Sequence, residues 1–352
     1  MKNRSSEKTV ILSGKKRTAV DKSSERIAAS KRVLLFLLAF LLVAALAVIS
    51  LFVGASDVSP FSVFFSSGST QALDVLMISR IPRTIALLLA GMSMAVAGAI
   101  MQMLARNRFV DPSTTGTVES ATLGILVIML FSPEMPIMGK MLSASIFALA
   151  GSGLFMLVLR KIPLRSPLVL PLVGILLGRI VNAITTFIAY RYDFIQSLSA
   201  WTTGDFSGVL RGRYELLWLS FALTVIAYIA ADRFTVAGLG ENFTTNLGLN
   251  YRRVVVFGLV IVSMVTASVV VTAGMLPFLG IIVVNVVSLL FGDNLRRTLP
   301  CVAFSGGALV LACDLLGRVI RYPYEIPVGA LMGVMGGAVF LFIILKKRSG
   351  IQ

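Results

Sequence analysis

The chain carries few of the residue types that do covalent chemistry. It has no histidine, which removes the commonest general base and the commonest metal ligand. No Ser/His/Asp or Cys/His set can therefore be assembled. The two cysteines are Cys301 and Cys313. On one helix, a rise of about 1.5 Å per residue would hold them about 18 Å apart, too far for a disulfide, so a buried structural role is expected. No GxxxxGK[ST] run occurs. The nearest, Ser13-Gly14-Lys15-Lys16-Arg17, lacks the spacing and the preceding strand of a phosphate loop. The chain is not expected to be an enzyme or to hydrolyse ATP by itself.

What remains is charge in unusual places. Arg80 and Arg83 flank Pro82, and at i and i+3 they share one helix face. They read either as interfacial side chains reaching for water or as a docking face for a partner's acidic groups, since Arg pairs bidentately with carboxylates. Arg318 lies four residues after Asp314. That spacing allows a simple i,i+4 pair, and docking is the competing reading. The segment from Arg106 to Gly116 is too polar to touch lipid, so protein or water must cover its backbone. Glu119, just beyond it, either pairs with a neighbouring Arg or serves a proton relay. Residues 232–253 suggest a short helix from Asn242 to Leu247 with Gly248 as its stop signal. Such a helix is either a handle for a motor subunit or an ordinary connector.

These residues need a scaffold, and composition says which. Of 352 residues, 57% are hydrophobic and 14% charged, with mean hydropathy +0.92. Soluble domains carry about 25% charged residues, so most of this chain belongs in lipid. Apolar runs predict ten spans, near 33–53, 80–104, 115–131, 139–159, 167–190, 214–231, 254–273, 277–291, 300–318 and 326–345. The run Val33–Ile49 exceeds the usual length of a signal-peptide core. Segment 54–79 reads as an exposed outer loop. Of 32 basic residues, the loops on one side hold 23 and those on the other hold eight, which puts both termini in the cytoplasm. The net charge of +16 is thus mostly topology. Residues 1–32 carry ten basic and three acidic groups. They read as a basic cytoplasmic tail that hugs anionic lipid, ahead of a single transmembrane domain over 33–348. Without aromatic–basic interleaving, no nucleic-acid surface is expected.

Several stretches, in order, resemble the membrane permeases of binding-protein-dependent ABC importers for ferric siderophores and cobalamin. They are Arg80-Ile81-Pro82-Arg83-Thr84 with Ala90-Gly91, Ala97-Gly98 and Gln102; Arg106-Asn107 with Asp111-Pro112 and Gly116; Leu247-Gly248 with Arg252-Arg253; Gly274 to Gly280 with Gly292-Asp293 and Arg296-Arg297; and Asp314, Arg318, Glu325 to Gly329 and Gly336. The resemblance implies an all-α integral membrane protein of type II ABC importer architecture with about ten helices, in the bacterial cytoplasmic (inner) membrane. It implies a second permease copy or paralogue, two cytoplasmic ATPase subunits that bind ATP and Mg, an extracytoplasmic siderophore-binding protein, and no cofactor in this chain. By matching position, Arg80, Arg83 and Arg318 receive the binding protein. Glu241, Thr245, Leu247, Gly248, Arg252 and Arg253 fall in the ATPase-coupling region. Asn182, Thr185 and Thr186 correspond, by order alone, to a path-lining helix. The sequence departs from the family where Val284 replaces Pro, while Asn285 and Ser288 resemble the catecholate-type branch. A cobalamin or haem permease is the near alternative. A proton-coupled secondary transporter using Glu119 or Asp314 is the distant one.

Overall fold

The computed structural model describes residues 36–54, 73–161, 169–212, 214–292 and 294–349. The basic tail lies outside them, as does most of the outer segment 54–79. All regular structure among the described residues is helical. In chain order the helices are α1 Phe36–Phe52, α2 Leu73–Leu104, α3 Thr117–Phe131, α4 Ile137–Lys161, α5 Val169–Arg191, α6 Ile195–Thr202 and α7 Leu216–Ile229. Then follow α8 Ala231–Gly238, α9 Glu241–Asn246, α10 Tyr251–Ala273, α11 Leu279–Phe291, α12 Leu295–Ile320 and α13 Val328–Ser349. Five of these are long and apolar enough to cross a membrane: α2, α4, α5, α10 and α12. The pair α7 and α8, bent by 64°, passes the same test together, and α1, α3, α11 and α13 supply shorter apolar helices. All ten apolar runs read from the sequence fall on these elements.

Three differences matter. First, α2 begins at Leu73 rather than near 80, and its first turns include a π-helical stretch over Leu76–Arg80. Second, α12 begins at Leu295 rather than at Pro300, because the Asn294 side chain accepts a hydrogen bond from the Arg297 N–H and caps the helix. Pro300 then sits early in the helix, where little of the hydrogen-bond ladder precedes it. Third, the stretch between α7 and α10 holds two short helices, α8 and α9, where one was expected, and α6 lies in a stretch read as loop.

The centre of the bundle is α2. Within its most apolar window 83% is buried in the chain, against 28% for α4 and 22% for α5. Lipid is as apolar as leucine, so helices in a membrane associate through close backbone packing of small residues. α2 follows that rule on two sides: Ala86, Ala90 and Ala97 on one face and Ala95 and Ala99 on the opposite one are all buried. Where α2 crosses α12, a Cβ on Gly306 would lie 2.5 Å from the Gly91 carbonyl oxygen. Where α2 meets α11, a Cβ on Gly98 would lie 2.6 Å from the Gly280 Cα. Cys301 and Cys313 are both free and buried on α12, and Cys313 Sγ packs on the sulfurs of Met332 and Met335 in α13. Their expected structural role stands.

This packing leaves no room for a side chain at the α2–α12 crossing. Gly306→Val is expected to destabilise the folded protein by about 1–3 kcal/mol through overpacking. Thermal unfolding in detergent, compared with a control such as Gly337→Ala, where an added Cβ meets nothing within 4 Å, checks this.

Candidate functional site

Two polar regions interrupt the apolar bundle. The first gathers at one end of α1, α2 and α12. A helix leaves its last carbonyls without intrahelical partners, and here Arg318 supplies them. Its guanidinium donates to the Ser50 carbonyl at 2.9 Å and the Val53 carbonyl at 2.8 Å, at the end of α1. Arg80 donates to the same Val53 carbonyl. Ser50 and Thr84 share a hydroxyl hydrogen bond of 3.1 Å between α1 and α2. Asp314 is 1% exposed and takes two arginines at once. Its Oδ1 accepts from Arg83 at 2.6 Å and 3.2 Å, and its Oδ2 pairs with Arg318 one turn on. Arg83 also reaches Glu325 Oε2 at 2.7 Å, just before α13.

The expected i,i+4 pair is therefore formed. The outward-pointing arginine face is not what the fold presents, since Arg80, Arg83 and Arg318 are all buried. They bind α1, α2, α12 and the entry to α13 to one another. Ser50 and Glu325 belong to this cluster; the sequence offered Glu325 only as part of a family motif and Ser50 not at all. No local spacing could reveal their roles, since Glu325 is 242 residues from Arg83 and Ser50 is 268 from Arg318.

The second polar region forms where two bends meet. One bend, Ala105–Gly116, follows α2. The other, Gly274–Phe278, follows α10. In the first, Asn107 Oδ1 accepts from the Phe109 N–H at 2.8 Å. Asp111 caps a short 3-10 turn, Pro112–Thr114, whose Thr114 hydroxyl accepts from the Asp111 N–H at 2.9 Å. The Ser113 hydroxyl donates to Asp111 Oδ2 at 2.7 Å and accepts from the Phe278 N–H of the other bend at 3.1 Å. Gln102 donates to the Gly280 carbonyl at 3.2 Å, and Asn285 to the Arg108 carbonyl at 2.9 Å. The polar segment is covered by protein, as its composition required. The Val284 position, where the family has Pro, sits in an unbroken helix α11.

The hairpin α8–α9 and the start of α10 carry the residues matched to ATPase coupling. Glu241, Thr245, Leu247, Gly248, Arg252 and Arg253 are all exposed. The buried Thr244 holds α9 against α8, donating to the Gly240 carbonyl at 2.6 Å and the Val236 carbonyl at 3.1 Å. Gly240 and Gly248 take positive φ, 112° and 78°, at the two ends of α9. Leu239, Phe243 and Leu247 are exposed at four-residue intervals. Leu239 and Phe243 were overlooked, although apolar residues at that spacing in a polar loop were a readable signal.

On α5, Thr185 is buried and its hydroxyl donates to the Val181 carbonyl at 2.8 Å, whereas Thr186 is exposed. Asn182 lines a cavity of 320 Å³ between α3, α5 and the second bend, together with Glu119 and Arg179. Among the described residues no cluster of three His, Cys, Asp or Glu could hold a metal ion.

The chain matches the FecCD transport family over residues 40–346. The petrobactin import system permease protein YclN of Bacillus subtilis is 50% identical over 311 residues, spanning 88% of this chain and 98% of that protein. The petrobactin import system permease protein FatD of Bacillus anthracis is 41% identical over 313 residues, spanning 89% and 91%. Among solved structures, an inward-facing structure assigned to the metal-chelate type of ABC transporter superposes with a TM-score of 0.74. It does so at 22% identity, covering 88% of this chain and 98% of that one.

Asp314 is the hinge of the arginine cluster. Removing one partner of a buried ion pair leaves uncompensated charge and costs about 3–5 kcal/mol. Asp314→Ala is expected to lose stability on that scale, measured by thermal unfolding in detergent. Exposed Glu241→Ala should be neutral in the same assay.

Proposed function

Because the chain belongs to the FecCD transport family, we propose that it is the permease subunit of an ABC importer carrying a ferric siderophore across the bacterial cytoplasmic membrane. The observation that carries this reading is 50% identity, over nearly the full length of both chains, to a permease of a petrobactin import system. That relative also favours a siderophore over cobalamin or haem. Deletion of the gene should abolish uptake of radiolabelled iron presented as the ferric siderophore, and restoring the chain should recover it.

In this reading the chain contributes a path and does no bond chemistry. Two copies, or this chain and a paralogue, enclose the path. Two ATPase subunits bind ATP and Mg and seat the α8–α9 hairpin. The exposed apolar side chains of Leu239, Phe243 and Leu247 support that contact, since apolar surface exposed to water gains by burial in a partner. Glu241, Thr245 and the Arg252–Arg253 pair frame it with polar groups. Phe243→Asp should release the ATPase from the purified complex while leaving the permease in the membrane. Copurification of a tagged permease checks this, and undiminished recovery of the ATPase would remove the hairpin from the coupling role.

An extracytoplasmic binding protein docks, in this reading, at the edge formed by Arg80, Arg83 and Arg318. These arginines are already engaged, so an incoming carboxylate must compete with Asp314 and Glu325. Glu325 is the displaceable one: its side chain is 26% exposed, while that of Asp314 is fully buried. Glu325→Gln removes the competitor and should tighten binding of the loaded binding protein severalfold in a surface-based binding assay. Weaker or unchanged binding would sink the docking assignment.

A further inference from the structure

The cavity beside α5 brings an acid, Glu119, and a base, Arg179, to one wall. Its wall includes Ser113, Thr114, Glu119, Arg179, Asn182 and Phe278. Ser113 and Phe278 are the residues through which the two bends touch, so the cavity rests on the contact between the bends. Glu119 lies in the first turn of α3, directly after Gly116.

The position of Glu119 is fixed by backbone approach. A Cβ on Gly178 would lie 3.0 Å from the Glu119 carboxyl carbon, and a Cβ on Gly174 would collide with the Thr114 carbonyl. The two glycines, one helical turn apart, let α5 lie flat against the start of α3. Glu119 Oε2 is then buried without a hydrogen-bond partner among the described residues. Arg179, the neighbour of Gly178, lines the same cavity and does not close on that oxygen. A buried acceptor left unsatisfied costs free energy that a bound donor would recover. The simple ion pair expected for Glu119 leaves this oxygen unexplained.

We propose that this cavity is a substrate subsite of the permease, in which Glu119 accepts from an amine or hydroxyl arm of the metal chelate while Arg179 holds its anionic oxygens. Arg179 suits that role because its planar fork binds carboxylate or catecholate-type oxygen pairs bidentately. Asn182 adds an amide that can donate or accept as the ligand turns. A volume of 320 Å³ takes one arm of a siderophore rather than the whole molecule, so the contact would orient the chelate in transit. The proposal rests on the ferric-siderophore reading and adds to it the class of chelate that moves best, one with a hydrogen-bond-donating arm.

The test uses the complete importer reconstituted in liposomes with its ATPase and saturating loaded binding protein. Two ferric catecholate chelates are compared, one with a free secondary amine and one with that amine acetylated. The parent protein should carry the amine form at least threefold faster, and Glu119→Gln should bring the ratio close to one. Arg179→Gln, at an exposed position, should slow both chelates at least fivefold and keep their ratio. Binding-protein-stimulated ATP hydrolysis should persist in both variants, which separates loss of the subsite from loss of the fold. Equal rates for the two chelates in the parent protein, or a ratio unchanged by Glu119→Gln, would overturn the proposal. So would unchanged rates in Arg179→Gln. Transport of neither chelate by the parent protein would instead overturn the siderophore reading, and the subsite would fall with it.

Discussion

Every backbone N–H and C=O placed in hydrocarbon must find a partner inside the protein, and most of this architecture follows from that requirement. Straight helices meet it by themselves. The chain also contains two bends, after α2 and after α10, where the helical ladder stops. Neither bend closes its own hydrogen bonds completely. The Phe278 N–H goes to Ser113, the Arg108 carbonyl to Asn285, and the Gly280 carbonyl to Gln102. Each bend is therefore a condition for the other. Their mutual satisfaction requires α11 to lie against α2 at backbone distance, which is why glycine stands at both 98 and 280.

The arginine cluster answers the same requirement at the end of α1. Its last carbonyls would be orphaned where α1 stops, and Arg318 and Arg80 bring donors to them from other helices. Asp314 then compensates the charge those donors introduce. A buried pair of this kind is not by itself a large source of stability, because desolvation offsets much of the Coulomb attraction. Its contribution here is geometric. One carboxylate fixes the relative positions of α2 and α12, and Glu325 extends the constraint to the start of α13.

The apolar runs were legible because lipid filters composition so strongly that length and hydropathy suffice. The short helices α6 and α8 were not, since each is eight residues long and amphipathic, too brief for a span signal. The start of α2 was missed because Asp74 and Ser79 interrupt its apolar pattern, and only the fold shows that the helix runs through them. The site was half legible. Asp314 with Arg318, and the polar segment after Arg106, announced themselves by spacing and polarity. The engagement of Arg83 by Asp314 and Glu325 could not be read, because a long-range pair has no local signature. On α5, order along the chain singled out Asn182, Thr185 and Thr186 together, and at i, i+3 and i+4 they do share one side of the helix. Their burial still differs, with Thr185 packed inward and Thr186 exposed, because neighbouring elements cover only part of that side.

The distribution of burial separates what can move from what cannot. α2, α10 and α12 share a tightly interlocked centre, with most of their apolar surface inside the chain. α5 and α4 leave most of theirs outside. Bundles that work by alternating access need one part that holds still and another that rocks against it. In the proposed importer, the interlocked centre is the part with the most to lose by moving, since displacement would break both bends together. α5 is held to the centre at fewer points, chiefly the glycine contact with the start of α3. A helix attached in that way can shift while the bends stay closed, and Glu119 and Arg179 lie on the two sides of that contact. Closing or opening it would change the distance between the two charges, and with it the grip on whatever lies between them.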